Sequence, residues 1–411
     1  MVHTIRLLFL AATSFLFLSS SAAALLGLQQ ARVALFSAIV ALLAGACVLY
    51  RPIFARRGHE LPVVLLWLLT TIALLDAGGT FDLLDYKILL PIVALLMAPH
   101  LAHALEDVDL AGLVAKVLGL YVLAMAVTVA AGADNVVLRG HDALMRLDLT
   151  GSVITHASLC TIALVLACNG AVERRGFARF TALLVALLAL LMVLLSATRT
   201  ALLTLVLMGL LSVAAGPERS RQLRTLVFVT LAGLVVFAVH TVAVSDAFLL
   251  RLVGDGTSDF TSGRSHSLVH WLALAADRPF GHGIGAVRSM MTEGRPWIEG
   301  GRMLEWPHNE FVRFYFEAGL PGLLMVTLLI GGMLARTLRA AAIEAVPARR
   351  ALMLVLAADM VTQSVLQNYF NTVYHATVLL MILAVVTEPR DEAVERHETS
   401  LHRAHPGQSM T

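Results

Sequence analysis

Residues 178–215 read ARFTALLVALLALLMVLLSATRTALLTLVLMGLLSVAA: two apolar runs, 178–197 and 200–215, separated only by the residues around Ser196-Ala197-Thr198-Arg199-Thr200. Runs of about 17 to 25 apolar residues cross roughly 30 Å of hydrocarbon as helices. In lipid every backbone polar group must be satisfied within its own segment, so these runs are expected to be helices and not strands. Two such helices with almost no connection form a tight hairpin, and its tip carries an arginine.

The same signal repeats along the chain. Further runs fall near 5–26, 31–50, 61–76, 83–99, 111–131, 150–168, 225–243, 311–335, 350–367 and 371–387, giving an all-α, polytopic bundle of about twelve transmembrane helices. Basic residues collect in alternate connections: Arg51, Arg56 and Arg57; Arg174, Arg175 and Arg179; Arg219, Arg221 and Arg224; Arg336, Arg339, Arg349 and Arg350; and Arg390, Arg396 and Arg403. By the positive-inside rule these connections face the cytoplasm, with both termini, and the Arg199 hairpin faces outward. Arg6, the apolar run Leu7–Leu18 and the small residues Ser19–Ala24 resemble a secretory signal. With many spans following, this first helix is expected to stay uncleaved.

Composition agrees. The chain is 58% hydrophobic and 14% charged, with a mean hydropathy of +0.82, whereas soluble domains carry about a quarter charged residues. The net charge of +2 sums an uneven distribution and gives no reason to expect nucleic acid as a partner. Cys47, Cys160 and Cys168 lie in apolar runs without metal-ligand or disulfide spacing and read as small core residues.

One connection is long. Residues 244–310, on the outer side, are polar, Gly-rich and furnished with Trp and Phe, as a folded periplasmic cap would be. The expected organisation is therefore membrane helices over 1–243, the cap over 244–310, membrane helices over 311–387 and a cytoplasmic tail over 388–411.

Candidate chemistry gathers on the outer side. Arg199 reads either as an anion clamp, its guanidinium fork matching phosphate oxygens, or as an arginine snorkelling to head groups. Arg264 is a second phosphate ligand or a solvated charge; Trp271, seven residues later, shares its helical face, and the helix is expected to end in the glycine-rich turn Asp277-Arg278-Pro279-Phe280-Gly281-His282-Gly283-Ile284-Gly285. His266 and His270 have i, i+4 spacing but no matching carboxylate or cysteine, so no metal is expected. Then comes Pro307-His308-Asn309-Glu310-Phe311-Val312-Arg313-Phe314-Tyr315-Phe316-Glu317-Ala318-Gly319-Leu320-Pro321-Gly322. His308 at the water–lipid boundary can take a proton from a sugar hydroxyl, or simply cap the helix. Arg313 and Glu317, at i, i+4, are expected to neutralise each other. Gly319–Gly322 reads as a kink. Asp359, Gln363 and Gln367 form a polar stripe that lines a cavity or hydrogen-bonds a neighbouring helix.

The Ser-x-x-Arg-Thr hairpin, Gly263-Arg264 followed by Trp271, Pro279-Phe280-Gly281-x-Gly283-x-Gly285, and the His308-Asn309-Glu310-Phe311 segment ending Glu317-x-Gly319-Leu320-Pro321-Gly322 occur in an order that resembles the O-antigen ligase and polymerase superfamily. The resemblance covers about residues 145–325, with Arg146–Thr150 a loose match to the family's outer-loop approach. It implies a GT-C-type glycosyltransferase in the bacterial inner membrane that takes a glycan from undecaprenyl pyrophosphate on the periplasmic face, inverting and without metal or other cofactor. The acceptor is lipid A–core in ligases and another glycan unit in polymerases. Carried onto this chain, Arg199 and Arg264 hold the pyrophosphate, and His308 orients or deprotonates the acceptor hydroxyl. Trp271, Asn309, Glu310, Arg313 and Glu317 are possible supporting residues, while His266, His270 and His282 have no counterpart in the pattern.

Other classes fit less well. A metal-dependent transferase wants an outer acidic pair, but Asp107 and Asp109 fall on the cytoplasmic side and Asp82 with Asp85 reads as a helix start. A transporter or flippase predicts repeated halves with broken helices, which the sequence does not show. A scaffold subunit of an export complex predicts that Arg199, Arg264 and His308 are individually replaceable.

Overall fold

The computed structural model describes residues 1–14, 32–50, 60–75, 88–130, 137–139, 145–147, 153–196, 198, 200–201, 203–207, 264–293, 297–298 and 302–388. Five helices come first: α1 (Val2–Ser14), α2 (Arg32–Tyr50), α3 (Glu60–Leu75), α4 (Leu89–Ala104) and α5 (Leu110–Ala130). A short antiparallel hairpin, β1 (Val137–Arg139) with β2 (Met145–Leu147), leads to α6 (Val153–Glu173) and α7 (Gly176–Leu195). After the hairpin tip the chain is helical again at residues 200–201 and 203–207. The cap comprises α8 (Arg264–Ala276), α9 (Ala286–Glu293) and a second hairpin, β3 (Trp297–Ile298) with β4 (Arg302–Met303). Three helices close the described chain: α10 (Glu310–Ile343), α11 (Pro347–Leu366) and, after a 3-10 turn at Tyr369–Asn371, α12 (Val373–Val386).

The protein is thus an all-α membrane bundle, and among the described residues strands are confined to the two small hairpins. Among the described residues helices stand where the apolar runs predict them; residues 15–26 of the first run and 208–215 of the eighth lie outside those described. The run at 225–243, the loop residues 244–263, the tail beyond 388 and Arg199 lie outside the described residues. Among the described residues, four segments are long and apolar enough to cross a membrane: Leu110–Val127, Val153–Glu173, Gly176–Leu195 and Glu310–Ile343.

Burial sorts the helices. α6 is central, with 78% of its span buried inside the protein against 39% for α5 and α7. That position suits its sequence, since Thr155, His156, Ser158, Thr161 and Asn169 would be costly against lipid tails but find protein partners in the bundle. The outer helices turn leucine and valine outward; Leu49 is 78% and Leu74 72% exposed, as a lipid-facing surface requires.

Hydrogen bonds fix which ends lie together. Arg6 reaches the Ala104 carbonyl and pairs with Asp107, Arg349 donates to the Val386 carbonyl, and Arg336 pairs with Glu388. These contacts collect the start of α1, the ends of α4, α10 and α12 and the start of α11 at one basic end. At the other end, Asn309 Nδ2 donates to the Val365 carbonyl and Gln367 Nε2 to Thr200 Oγ1. The start of α10, the end of α11 and the Ser196–Thr200 hairpin therefore meet opposite the arginines.

Candidate functional site

The start of α10 is built by residues that follow one another in sequence. Asn309 is the N-cap: its backbone is extended and its side-chain oxygen accepts from the Val312 amide at 3.1 Å, satisfying a donor that the first turn leaves open. His308 therefore stands one residue before the cap and is not itself the cap. Glu310, fully buried, accepts from the Phe370 amide at 2.7 Å and from Arg313 at 3.2 Å. Arg313 also faces Glu317, Nε to Oε2 at 3.4 Å. The expected pair is thus a buried Glu310–Arg313–Glu317 triad, and its first member pins α10 to the α11–α12 turn. Two carboxylates around one guanidinium keep the three buried charges paired with one another, the condition under which buried charges persist.

One turn later α10 breaks. Gly319 has φ 62° and ψ −151°, and Pro321 brings no N–H for the Glu317 carbonyl four residues earlier. The freed groups are taken up by the glycine segment before α9. The amides of His282 and Gly283 donate to the carbonyls of Phe316 and Glu317, both at 2.9 Å, and the Leu320 amide donates to the Pro279 carbonyl at 2.8 Å. The approach is so close that a Cβ on Gly281 would lie 2.3 Å from the Glu317 oxygen, and one on Gly319 2.0 Å from the Pro279 oxygen. Both glycines also have positive φ. The two glycine motifs, read separately in the sequence, are the two halves of one joint between cap and bundle.

Above that joint the cap has its own small core. Trp271 is fully buried, meets the Phe316 ring edge-on at 4.7 Å and donates its indole N–H to the Glu305 carbonyl at 2.8 Å. Ser267 Oγ accepts from the Glu305 amide at 3.1 Å. His282 stacks on Phe316 at 4.2 Å, with its Nε2 3.0 Å from the Leu274 carbonyl. The Trp271 and His282 rings pack the cap and hold its loops. They also hold Glu305, three residues before His308, against α8, whose first residue is Arg264.

The last turn of α11 collects the rest. Val365 receives Asn309, next to His308, and Gln367 holds Thr200, next to Arg199. Ser196 ends α7 with its hydroxyl on the Val193 carbonyl, and the Ala201 amide returns to the Thr198 carbonyl, so the hairpin turns within a few residues. Thr204 then reaches Thr362 at 3.0 Å, laying the new helix against α11. Of the expected polar stripe, Asp359 accepts from Ser158 at 2.6 Å and faces His375 at 3.2 Å, Gln363 lies 3.5 Å from Asp359, and Gln367 binds Thr200. The stripe serves as hydrogen bonding between helices.

The structure brings Asn309, Glu310, Arg313 and Glu317 to one end of the bundle with His308, and places Trp271 in the cap core. Arg264 is placed only as the first residue of α8. Among the described residues no three His, Cys, Asp or Glu side chains gather as metal ligands. Sequence reasoning overlooked Asn309 as cap and tether, and Thr200 with Gln367 as the clasp of the hairpin. Asn309 two residues after proline, followed by an apolar run, was the available signal for the first; the second depends on helix packing and left none. A cavity of about 320 Å³ lies between Pro99, His103, Asp109 and Arg349 at the opposite, basic end, apart from all of these residues.

The helices and this polar, capped end define an integral membrane protein whose candidate site lies at one mouth of the bundle. Residues 184–327, from α7 through the hairpin and cap into α10, match the sequence profile of a family described as O-antigen ligase. That segment is therefore similar to the O-antigen ligase family, in agreement with the resemblance its motifs carry. No curated protein matches the chain.

Proposed function

We propose that the protein is an O-antigen ligase-like glycosyltransferase of the bacterial inner membrane, with both termini cytoplasmic. It moves a glycan from undecaprenyl pyrophosphate to lipid A–core, or a similar surface acceptor, on the periplasmic face. The observation that carries this reading is the last turn of α11, where two residues, Val365 and Gln367, hold the neighbours of His308 and Arg199. Asn309 and Thr200, drawn from distant parts of the chain to the end of one helix, support the reading that a base and an anion-binding arginine work together there.

In the step proposed, the acceptor hydroxyl oxygen attacks the anomeric carbon as the bond from that carbon to the pyrophosphate oxygen breaks. The hydroxyl proton passes to His308. The electron pair of the broken bond stays on the pyrophosphate, where Arg199 and Arg264 neutralise it, the office a divalent cation fills in other transferases. Direct displacement inverts the anomeric centre. The Glu310–Arg313–Glu317 triad and Asn309 fix the backbone on which His308 stands, since positioning of reacting groups is worth orders of magnitude in rate.

The test uses the purified chain in detergent with an undecaprenyl-pyrophosphate glycan, lipid A–core and a chelator. Product on lipid A–core that is lost in His308→Ala is the expected result. Longer glycans on undecaprenyl pyrophosphate, with lipid A–core untouched, would make the protein a polymerase instead. Unchanged transfer by His308→Ala would remove the histidine from the mechanism.

A further inference from the structure

The last turn of α11 holds more polar atoms than its contacts use. Gln367 is 2% exposed; its Nε2 is taken by Thr200, while its Oε1 is buried without a hydrogen-bond partner among the described residues. Ser364 Oγ, three residues earlier in α11, and Asn368 Oδ1, just beyond the helix end, are in the same condition. Folded proteins leave only a few buried polar groups unpaired per hundred residues, so three within residues 364–368 mark a place where something else supplies the partners.

The chemistry of these atoms narrows what that is. A hydroxyl and two carboxamides carry no charge to offset a phosphate or a metal cation held away from water, so a neutral hydrogen-bonding group is the better complement. Either end of the Gln367 amide can face Thr200, whose hydroxyl donates or accepts, and the end left over is then a donor or an acceptor. A ligand hydroxyl satisfies both arrangements, because it too does either. The ligand class is a polyol, and within the function proposed above that is a sugar.

Position says which sugar. Gln367 holds the residue after Arg199, and Val365, two residues before it, holds the residue after His308. In a displacement the transferred ring lies between the leaving pyrophosphate and the attacking hydroxyl. We propose that Gln367, with Ser364 and Asn368, forms a subsite for a hydroxyl of the sugar directly attached to the pyrophosphate, so that this turn of α11 selects the donor glycan by its first residue. The proposal rests on the glycosyl-transfer reading.

The test measures kcat/KM of the full-length protein in detergent with undecaprenyl-pyrophosphate glycans whose first sugar is either native or one of a panel of monodeoxy analogues. The wild type is expected to lose about 10-fold on one analogue, the cost of a single hydrogen bond to a buried partner. Gln367→Leu is expected to act more slowly on the native donor and to show no further loss on that analogue. Thr200→Val, which breaks the clasp and spares the free amide end, should keep the discrimination. A wild type indifferent to every analogue overturns the subsite even if no Gln367 variant can be purified. So does a Gln367→Leu enzyme that still discriminates, which would reduce Gln367 to a clasp. No transfer by the wild type from any pyrophosphate-linked glycan, to lipid A–core or to a second glycan, overturns the glycosyl-transfer reading and the subsite with it. Transfer without discrimination overturns the subsite alone.

Discussion

Gly281→Ala tests the joint between cap and bundle. Three costs follow from the structure. Gly281 has φ +88°, where a non-glycine residue costs about 1–2 kcal/mol. Its new methyl would stand 2.3 Å from the Glu317 oxygen and 2.6 Å from the Ala318 nitrogen, both backbone atoms that cannot swing aside, adding about 1–3 kcal/mol of overpacking. Relief by backing away stretches the His282 and Gly283 hydrogen bonds, each worth about 0.5–1.5 kcal/mol. These routes overlap, so the expected cost is about 3–4 kcal/mol, falling on cap docking and not on the bundle. Hydrogen exchange followed by mass spectrometry in detergent reads it directly. Peptides covering 279–285 and 314–320 should exchange roughly two to three orders of magnitude faster, with α6 unchanged. Gly331→Ala, in a helical stretch of α10 where an added Cβ meets nothing within 4 Å, is the control and should be neutral or slightly stabilising. Unchanged exchange at both peptides in Gly281→Ala would refute the docking argument.

Three further substitutions probe the site's supports. Asn309→Ala removes both the cap and the Val365 tether and should cost about 1–2 kcal/mol in thermal unfolding, while Asn309→Asp keeps the cap acceptor and should recover about half; equal losses would discount the cap. Glu310→Ala leaves the Phe370 amide without its acceptor and strips Arg313 of one carboxylate, for an expected loss of about 3–5 kcal/mol, and Glu310→Gln should fall well short of that because it retains an acceptor. A Glu310→Ala protein as stable as wild type would show the triad to be dispensable. Trp271→Phe keeps most of the packing on Phe316 but drops the bond to Glu305, so transfer should fall more than the melting temperature does; a change in stability alone would separate the cap core from the placement of His308.

Much of this could be read in the sequence because lipid leaves a chain few options. A run such as 178–197 must be a helix wherever it sits in the bundle, so length and hydropathy decided each element locally, and the alternating arginines ordered the loops. His308, Arg313 and Glu317 stood out for the same reason, as polar side chains where apolar ones are the rule. What they do could not be read there. That Asn309 and not His308 caps α10, that Glu310 joins Arg313 and Glu317, and that Gln367 clasps Thr200 depend on where side chains of different helices arrive.

Hydrophobic periodicity and charge asymmetry determined that this is a helical membrane protein with its unusual residues at one end, because the partner that imposes those patterns, the bilayer, is the same along the whole chain. Only the tertiary structure decided that the glycines at 281 and 319 belong to one joint and that α11 gathers residues 200 and 309 into one site. Close backbone approach and helix packing join positions far apart in the chain, and nothing in the local sequence of either partner names the other.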